Sequence, residues 1–267
     1  VYDGTNTVAI TLPLTDNRIP GDDVEVGYSL AYMTNKNAGT RKLVTVTGLF
    51  ISGGDDQDNY YLRTTTLRTR VNIARRLLTV TATGVNKIYN GAVKATVTYS
   101  DDRLAGDVLT ISGGASFIDK NVGVGKTVNV SRIRILGTDA RNYMLAGTTA
   151  TTTADITAKA LTVTGLTAVS KLFDGTTAAT LMGTAKLLAV IRPGTGTGVD
   201  GRPYAGDGVV LAGTPVGTFN NAAIGDTKPV TVSGLSLTGA GAGNYTLTPL
   251  TLTASIFDSS GDKRLTP

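Results

Sequence analysis

The stretch "VTVSGLSL", residues 230–237, alternates apolar and polar side chains and then changes step. Val230 and Val232 share one parity, whereas Leu235 and Leu237 take the other. Alternation with period 2 places successive side chains on opposite faces of a strand. A one-residue slip of that phase turns the buried face over. The segment therefore reads as a strand with a bulge, or as one that leaves one sheet for another. Burial on both faces is the competing reading. The same slip recurs in "VTVTGLFI" (44–51), between Val44/Val46 and Leu49/Ile51. It recurs again in "VNVSRIRI" (128–135), between Val128/Val130 and Ile133/Ile135.

Around each copy lie the same landmarks in the same order, the mark of an internal repeat. Upstream is an aromatic turn: Tyr2-Asp3-Gly4, Tyr89-Asn90-Gly91 and Phe173-Asp174-Gly175, with steps of 87 and 84 residues. Between turn and strand comes a Gly-Asp pair, at Gly21-Asp22, Gly106-Asp107 and Gly206-Asp207. Downstream is an Asn-Tyr pair: Asn59-Tyr60, Asn142-Tyr143 and Asn244-Tyr245. The turns supply the positive φ that a chain reversal needs, and their aromatics are expected to plug the core at equivalent buried positions. "LTVTAT" (78–83) and "LTVTGL" (161–166) alternate as half-buried strands, and no segment sustains a helical period.

The expected fold is all-β: three tandem Ig-like antiparallel β-sandwich repeats, with β-grasp-like repeats as the alternative. Expected boundaries are 1–76, lacking its first strand, 77–158 and 159–257, followed by a tail at 258–267. "DARNY" (139–143) fits a tyrosine corner, in which a Tyr hydroxyl bonds back to the backbone. The third repeat is longer: 57 residues separate Phe173 from Val230, against 42 and 39 in the others. The excess is a Gly- and Pro-rich insert at 191–208, a candidate contact surface or a tolerated surface loop.

Composition narrows the function. The chain has 267 residues with no Cys, His or Trp, which removes disulfides, thiolate metal sites, and the commonest general base. The net charge of +5 is spread evenly, with 9 basic and 8 acidic residues in 1–78, and 8 and 6 in both 79–157 and 158–267. No basic stripe points to nucleic acid. No apolar run is long enough for a membrane helix. A chain opening on Val with no visible signal peptide is expected to be processed or a fragment.

Three motifs invite chemistry. "NVGVGKT" (121–127) resembles a phosphate loop, but Lys120 stands where the first Gly is needed. Related loops at 38–42 and 224–228 make it a repeat-wide turn. Asp55, Asp56 and Asp58 gather in "GGDDQDN" (53–59), a candidate Ca²⁺ loop, yet the matching loops hold one carboxylate and none. A solvated acidic turn is the expected reading. Asn129-Val130-Ser131 and Asn244-Tyr245-Thr246 fit the glycosylation sequon, the second on a repeat landmark. No carboxylate pair stands apart from the repeats, so neither catalytic residues nor a cofactor or metal are expected.

"YDG" (2–4), "IYNG" (88–91), "LFDG" (172–175), "VTVSGLSLTG" (230–239), "GNYTL" (243–247) and "TADITAKALTV" (153–163) together resemble the YDG-type repeat domains of large secreted bacterial proteins, including filamentous-haemagglutinin-like adhesins. The resemblance implies an extracellular structural segment, a stalk or fibre at the cell surface, without catalysis. Its partners would be neighbouring repeats or copies of the same chain, with a host glycan or protein receptor as a further class. The second function considered is a carbohydrate- or protein-binding module that uses the 191–208 insert, whose one aromatic is Tyr204. The tail "DKRLTP" (262–267) resembles "AKALTV" (158–163), so two readings fit: a chain cut from a longer array, which is favoured, or a tail that completes the first repeat of another copy by strand addition.

Overall fold

The computed structural model describes residues 1–10 and 15–258. Residues 259–267 of the tail, and the strand addition expected of them, lie outside the described residues. The described chain is all-β, and its sheets curl toward a barrel-like form. No α-helix occurs among the described residues. One-turn 3-10 helices, Gln57–Asn59, Ala140–Asn142 and Ala242–Asn244, lead into the Tyr of each repeat.

The centres of the first and third repeats are antiparallel. In the first, Leu30–Met33, Gly39–Thr47 and Thr66–Ile73 pair in that order, with Met33 opposite Val44 and Val44 opposite Thr69. In the third, Val210–Phe219, Gly225–Thr238 and Leu250–Phe257 repeat the arrangement, with Phe219 opposite Val230 and Val230 opposite Leu252. The first repeat's core gathers Ala31, Met33, Val44, Val46 and Leu49. The third gathers Phe219, Val230, Ala254 and Ile256.

The slip in strand phase has one backbone cause. The fifth residue of each motif has positive φ: Gly48 at 66°, Arg132 at 54° and Gly234 at 78°. Both expected forms occur. In the first repeat the strand changes partners, because Phe50–Gly53 pairs with Glu25–Gly27 in a separate sheet. In the third, Gly225–Thr238 runs on through a register shift opposite Gly213 to Val216. A second positive-φ site explains the "GK" loops: Arg41 at 51°, Gly125 at 61° and Thr227 at 45°. Each precedes a Lys whose ammonium reaches back seven residues, Lys42 to Asn35 Oδ1 (2.7 Å), Lys126 to Asp119 (2.7 Å) and Lys228 to Asn221 (2.6 Å). The segment that follows is strand, not the helix of a phosphate loop.

Contacts divide the chain into two units. One holds Val1–Ala82, Tyr99–Gly114 and Val130–Ala150; the other holds Thr83–Thr98, Ala115–Asn129 and Thr151–Pro267. Strands of the middle repeat, such as Gly123–Leu136, supply residues to both.

Candidate functional site

The aromatic turns are built alike. Asp3 Oδ1 accepts the Thr5 N–H at 2.9 Å, Asn90 Oδ1 the Ala92 N–H at 3.1 Å, and Asp174 Oδ1 the Thr176 N–H at 2.9 Å. These are Asx turns, which Asp and Asn make equally well. The aromatic N–H then closes onto the last strand of its own repeat: Tyr2 to Ala74 O, Tyr89 to Thr157 O and Phe173 to Phe257 O.

The side chains do more than plug a core. Tyr2 donates its hydroxyl to Asp107 of the next repeat at 2.8 Å, and Tyr89 donates to Asp207 of the repeat after it at 2.7 Å. Each aspartate also receives the corner tyrosine of its own repeat, Tyr143 at 2.7 Å and Tyr245 at 2.6 Å. A lysine from the preceding repeat completes each set, Lys36 on Asp107 and Lys120 on Asp207. The rings meet edge to face, Tyr2 on Tyr143 at 5.6 Å and Tyr89 on Tyr245 at 5.3 Å. The corner assignment is realised, since Tyr60, Tyr143 and Tyr245 accept the N–H of Ile19, Leu104 and Tyr204 while donating to Asp22, Asp107 and Asp207.

An asparagine clamp stands beside each hub. Asn142 Oδ1 accepts the Ala38 N–H at 3.0 Å and its amide donates to Asn37. Asn244 does the same with Val122, at 2.8 Å, and Asn121. That use buries the Asn244 amide, whereas Asn129 of the other sequon is exposed.

Charge follows from these contacts. Burial pushes the Asp107 carboxyl up, but hydrogen bonds from Lys36, Tyr143 and Tyr2 outweigh it and hold it below the usual carboxylate value. Asp207 is lowered in the same way against its burial, by Lys120, Tyr245 and Tyr89. Burial first, then the Asp107 bond, raises Tyr143 to about 12. Burial and Asp207 raise Tyr89 and Tyr245 as well.

Phe173 departs from expectation. Tyr2 and Tyr89 are buried, but Phe173 is 54% exposed. The equivalent burial comes from the following repeat's aspartate and corner tyrosine, so the turn's own repeat does not cover the ring. Phe173 also lacks the hydroxyl such a contact uses. Registering the repeats on Lys42, Lys126 and Lys228 shows two parallel losses: Ala222 stands at the place of Lys36 and Lys120, and Ala223 at that of Asn37 and Asn121.

The 191–208 insert folds back onto the second aromatic turn. The Gly194 N–H donates to Asn90 O at 2.7 Å, and Tyr204 is buried with its ring 5.9 Å from Tyr89. Buried Lys159 lies 4.1 Å over the Tyr204 ring and 2.7 Å from Asp200, as an ion pair without hydrogen-bond alignment. The acidic loop is likewise engaged, since Asp56 accepts the Asp23 N–H at 2.9 Å. Among the described residues no group of three carboxylates is placed to hold a metal.

The YDG domain matches the chain three times, over residues 1–67, 74–153 and 157–252. The chain belongs to the YDG domain family. A search of curated proteins returns no match. The hubs thus join consecutive YDG repeats through residues of the motif itself: the Tyr of one copy meets the Gly-Asp aspartate of the next. The recurrence of all three landmarks was legible in sequence, but their meeting was not.

Proposed function

We propose that this chain is a structural segment of an extracellular bacterial adhesin or surface fibre of filamentous-haemagglutinin-like type, with each repeat an Ig-like sandwich. The observation that carries the reading is the doubled hub, in which Asp107 and Asp207 each receive a Tyr and a Lys from the preceding repeat. A buried carboxylate with several donors fixes orientation, because breaking any one bond leaves a desolvated group. Such joints suit a part whose work is reach and presentation. Head-to-tail assembly by strand addition belongs to the same reading. The insert serves this role as packing on the second turn, since buried Tyr204 presents no face to a glycan.

Two measurements test the reading. Antibody raised against the chain should label intact source cells and lose that label after surface proteolysis. In single-molecule pulling, the chain should yield at lower force when Asp107 and Asp207 are both changed to Asn. A cytoplasmic antigen would sink the localisation, and unchanged force would sink the hub as a mechanical joint.

A further inference from the structure

The first repeat carries a cleft of about 360 Å³ whose walls include Asp16, Asn17, Leu49, Tyr60, Leu62 and Leu67. The other repeats show what fills this place. Arg76–Leu78 lies parallel to Tyr143–Leu145, and Lys159–Leu161 lies parallel to Tyr245–Leu247. Leu78 and Leu161 are each 0% exposed, and Leu78 packs on Leu109, Tyr143 and Leu145. Tyr60 and Leu62 correspond to Tyr143 and Leu145, yet residues 60–62 form no strand.

The polar walls match as well. Asp16, Asp101 and Asp200 each accept the N–H of the Arg two residues on, which fixes their equivalence. Asp200 pairs with Lys159 at 2.7 Å, whereas Asp16 and Asp101 pair with Arg18 and Arg103. The next position takes the strand's Thr: the Thr79 N–H donates to Asp102 at 2.8 Å and the Thr162 N–H to Gly201 O at 2.9 Å. Asn17 occupies that position in the first repeat. The strand's Leu carbonyl accepts from Ala146 and from Thr248, both at 2.9 Å, and Arg63 holds the corresponding sequence position, three residues after Tyr60.

We propose that this cleft is a strand socket: it takes the leading β-strand of a YDG-type repeat, of pattern basic–x–Leu–Thr–Val, docked parallel to residues 60–62. Leu enters between Leu49, Leu62 and Tyr60, the basic residue faces Asp16, and the Thr N–H meets Asn17. Backbone pairing supplies affinity and the Leu pocket supplies selectivity, as in strand addition generally.

The test uses the full chain and a labelled peptide, AKALTVTGLTA, identical to residues 158–168. Anisotropy should show saturable one-to-one binding, and amide exchange should show new protection at residues 60–63. A peptide with Leu161→Asp should bind at least about tenfold more weakly. Chain Asp16→Lys should weaken the parent peptide and recover with the Lys159→Glu peptide, a charge swap that a merely sticky surface would not follow. Absence of saturation at about 1 mM peptide, or equal binding of the Leu161→Asp peptide, overturns the proposal. Capture of small apolar probes without the peptide also overturns it, in favour of a ligand pocket. The socket rests on the strand-addition part of the proposed function, but none of these outcomes depends on where the protein works, so failure here and failure of the surface-adhesin reading are separable.

Discussion

The Tyr89 hydroxyl and the Asp207 carboxylate meet at 2.7 Å although 118 positions separate them along the chain. The bond joins the aromatic turn of one repeat to the Gly-Asp element of the next. Tyr89→Phe keeps the ring and removes one donor from a buried carboxylate that retains Lys120 and Tyr245. The expected loss is about 1–2 kcal/mol in denaturant unfolding. Phe173→Tyr, at the equivalent but exposed position, should leave stability within about 0.5 kcal/mol. Equal effects at the two sites would remove the hub from the account.

Removing the acceptor should cost more. Asp207→Ala strands two buried tyrosine hydroxyls and leaves Lys120 without its partner, and breaking a buried ion pair from one side costs about 3–5 kcal/mol. Lys120 is 39% exposed and can turn to water, which places the expectation near the lower figure. Asp207→Asn still accepts and should cost less than Asp207→Ala. Asp174→Asn, exposed and able to keep its Asx turn, is the control and should fall within about 0.5 kcal/mol. The ranking is checked by urea midpoints on the full chain.

The hubs also set a pH window. Asp107 and Asp207 have folded pKa values below the ordinary carboxylate value of 3.8. A depressed folded value means that the unfolded chain takes up protons first as acid is added. The contribution is therefore whole above about pH 4 and lost as pH falls through the folded values. The tyrosines act with the opposite sign. Tyr143 rises from 10.0 to about 12, so its contribution is whole below pH 10 and lost as pH climbs toward 12. Melting temperature against pH should show a plateau with both shoulders. In Tyr143→Phe the alkaline shoulder should shrink, and an unchanged shoulder would assign it elsewhere.

Much of the fold was legible because it is local. Period 2, the slip after Val46, Val130 and Val232, and the Asx turns all arise within a few residues. The corner could be read from "DARNY" for the same reason. The hub was not, because its parts lie 36 to 118 positions apart and no local pattern says which aspartate meets which tyrosine. Gly-Asp was visible as a recurring pair without a role. Ala222 and Ala223 were visible in place of the Lys-Asn of the other two loops. Reading that loss required knowing that those residues act on the following repeat. The insert misled for another reason: Gly and Pro suggested a free loop, while Tyr204 and Asp200 anchor it to Tyr89 and Lys159.

The phase slip offers the sharpest backbone test. Three residues at one repeat position have positive φ, two of them Gly and one Arg132 at 54°. A left-handed conformation costs a residue with a Cβ about 1–2 kcal/mol, while Gly adopts it freely and gives back part of that through greater unfolded-state entropy. Arg132→Gly should therefore stabilise the middle repeat by up to about 1 kcal/mol. Gly234→Ala should do the reverse and by more. Its Cβ would stand 2.3 Å from the Thr214 carbonyl oxygen, a backbone atom held by pairing to the same strand. Strain and clash act together there, so a loss above about 2 kcal/mol is expected. Circular dichroism melts of both single variants would decide. If Arg132→Gly destabilises and Gly234→Ala is tolerated, the slip does not depend on left-handed backbone, and the shared cause assigned to the three strands fails.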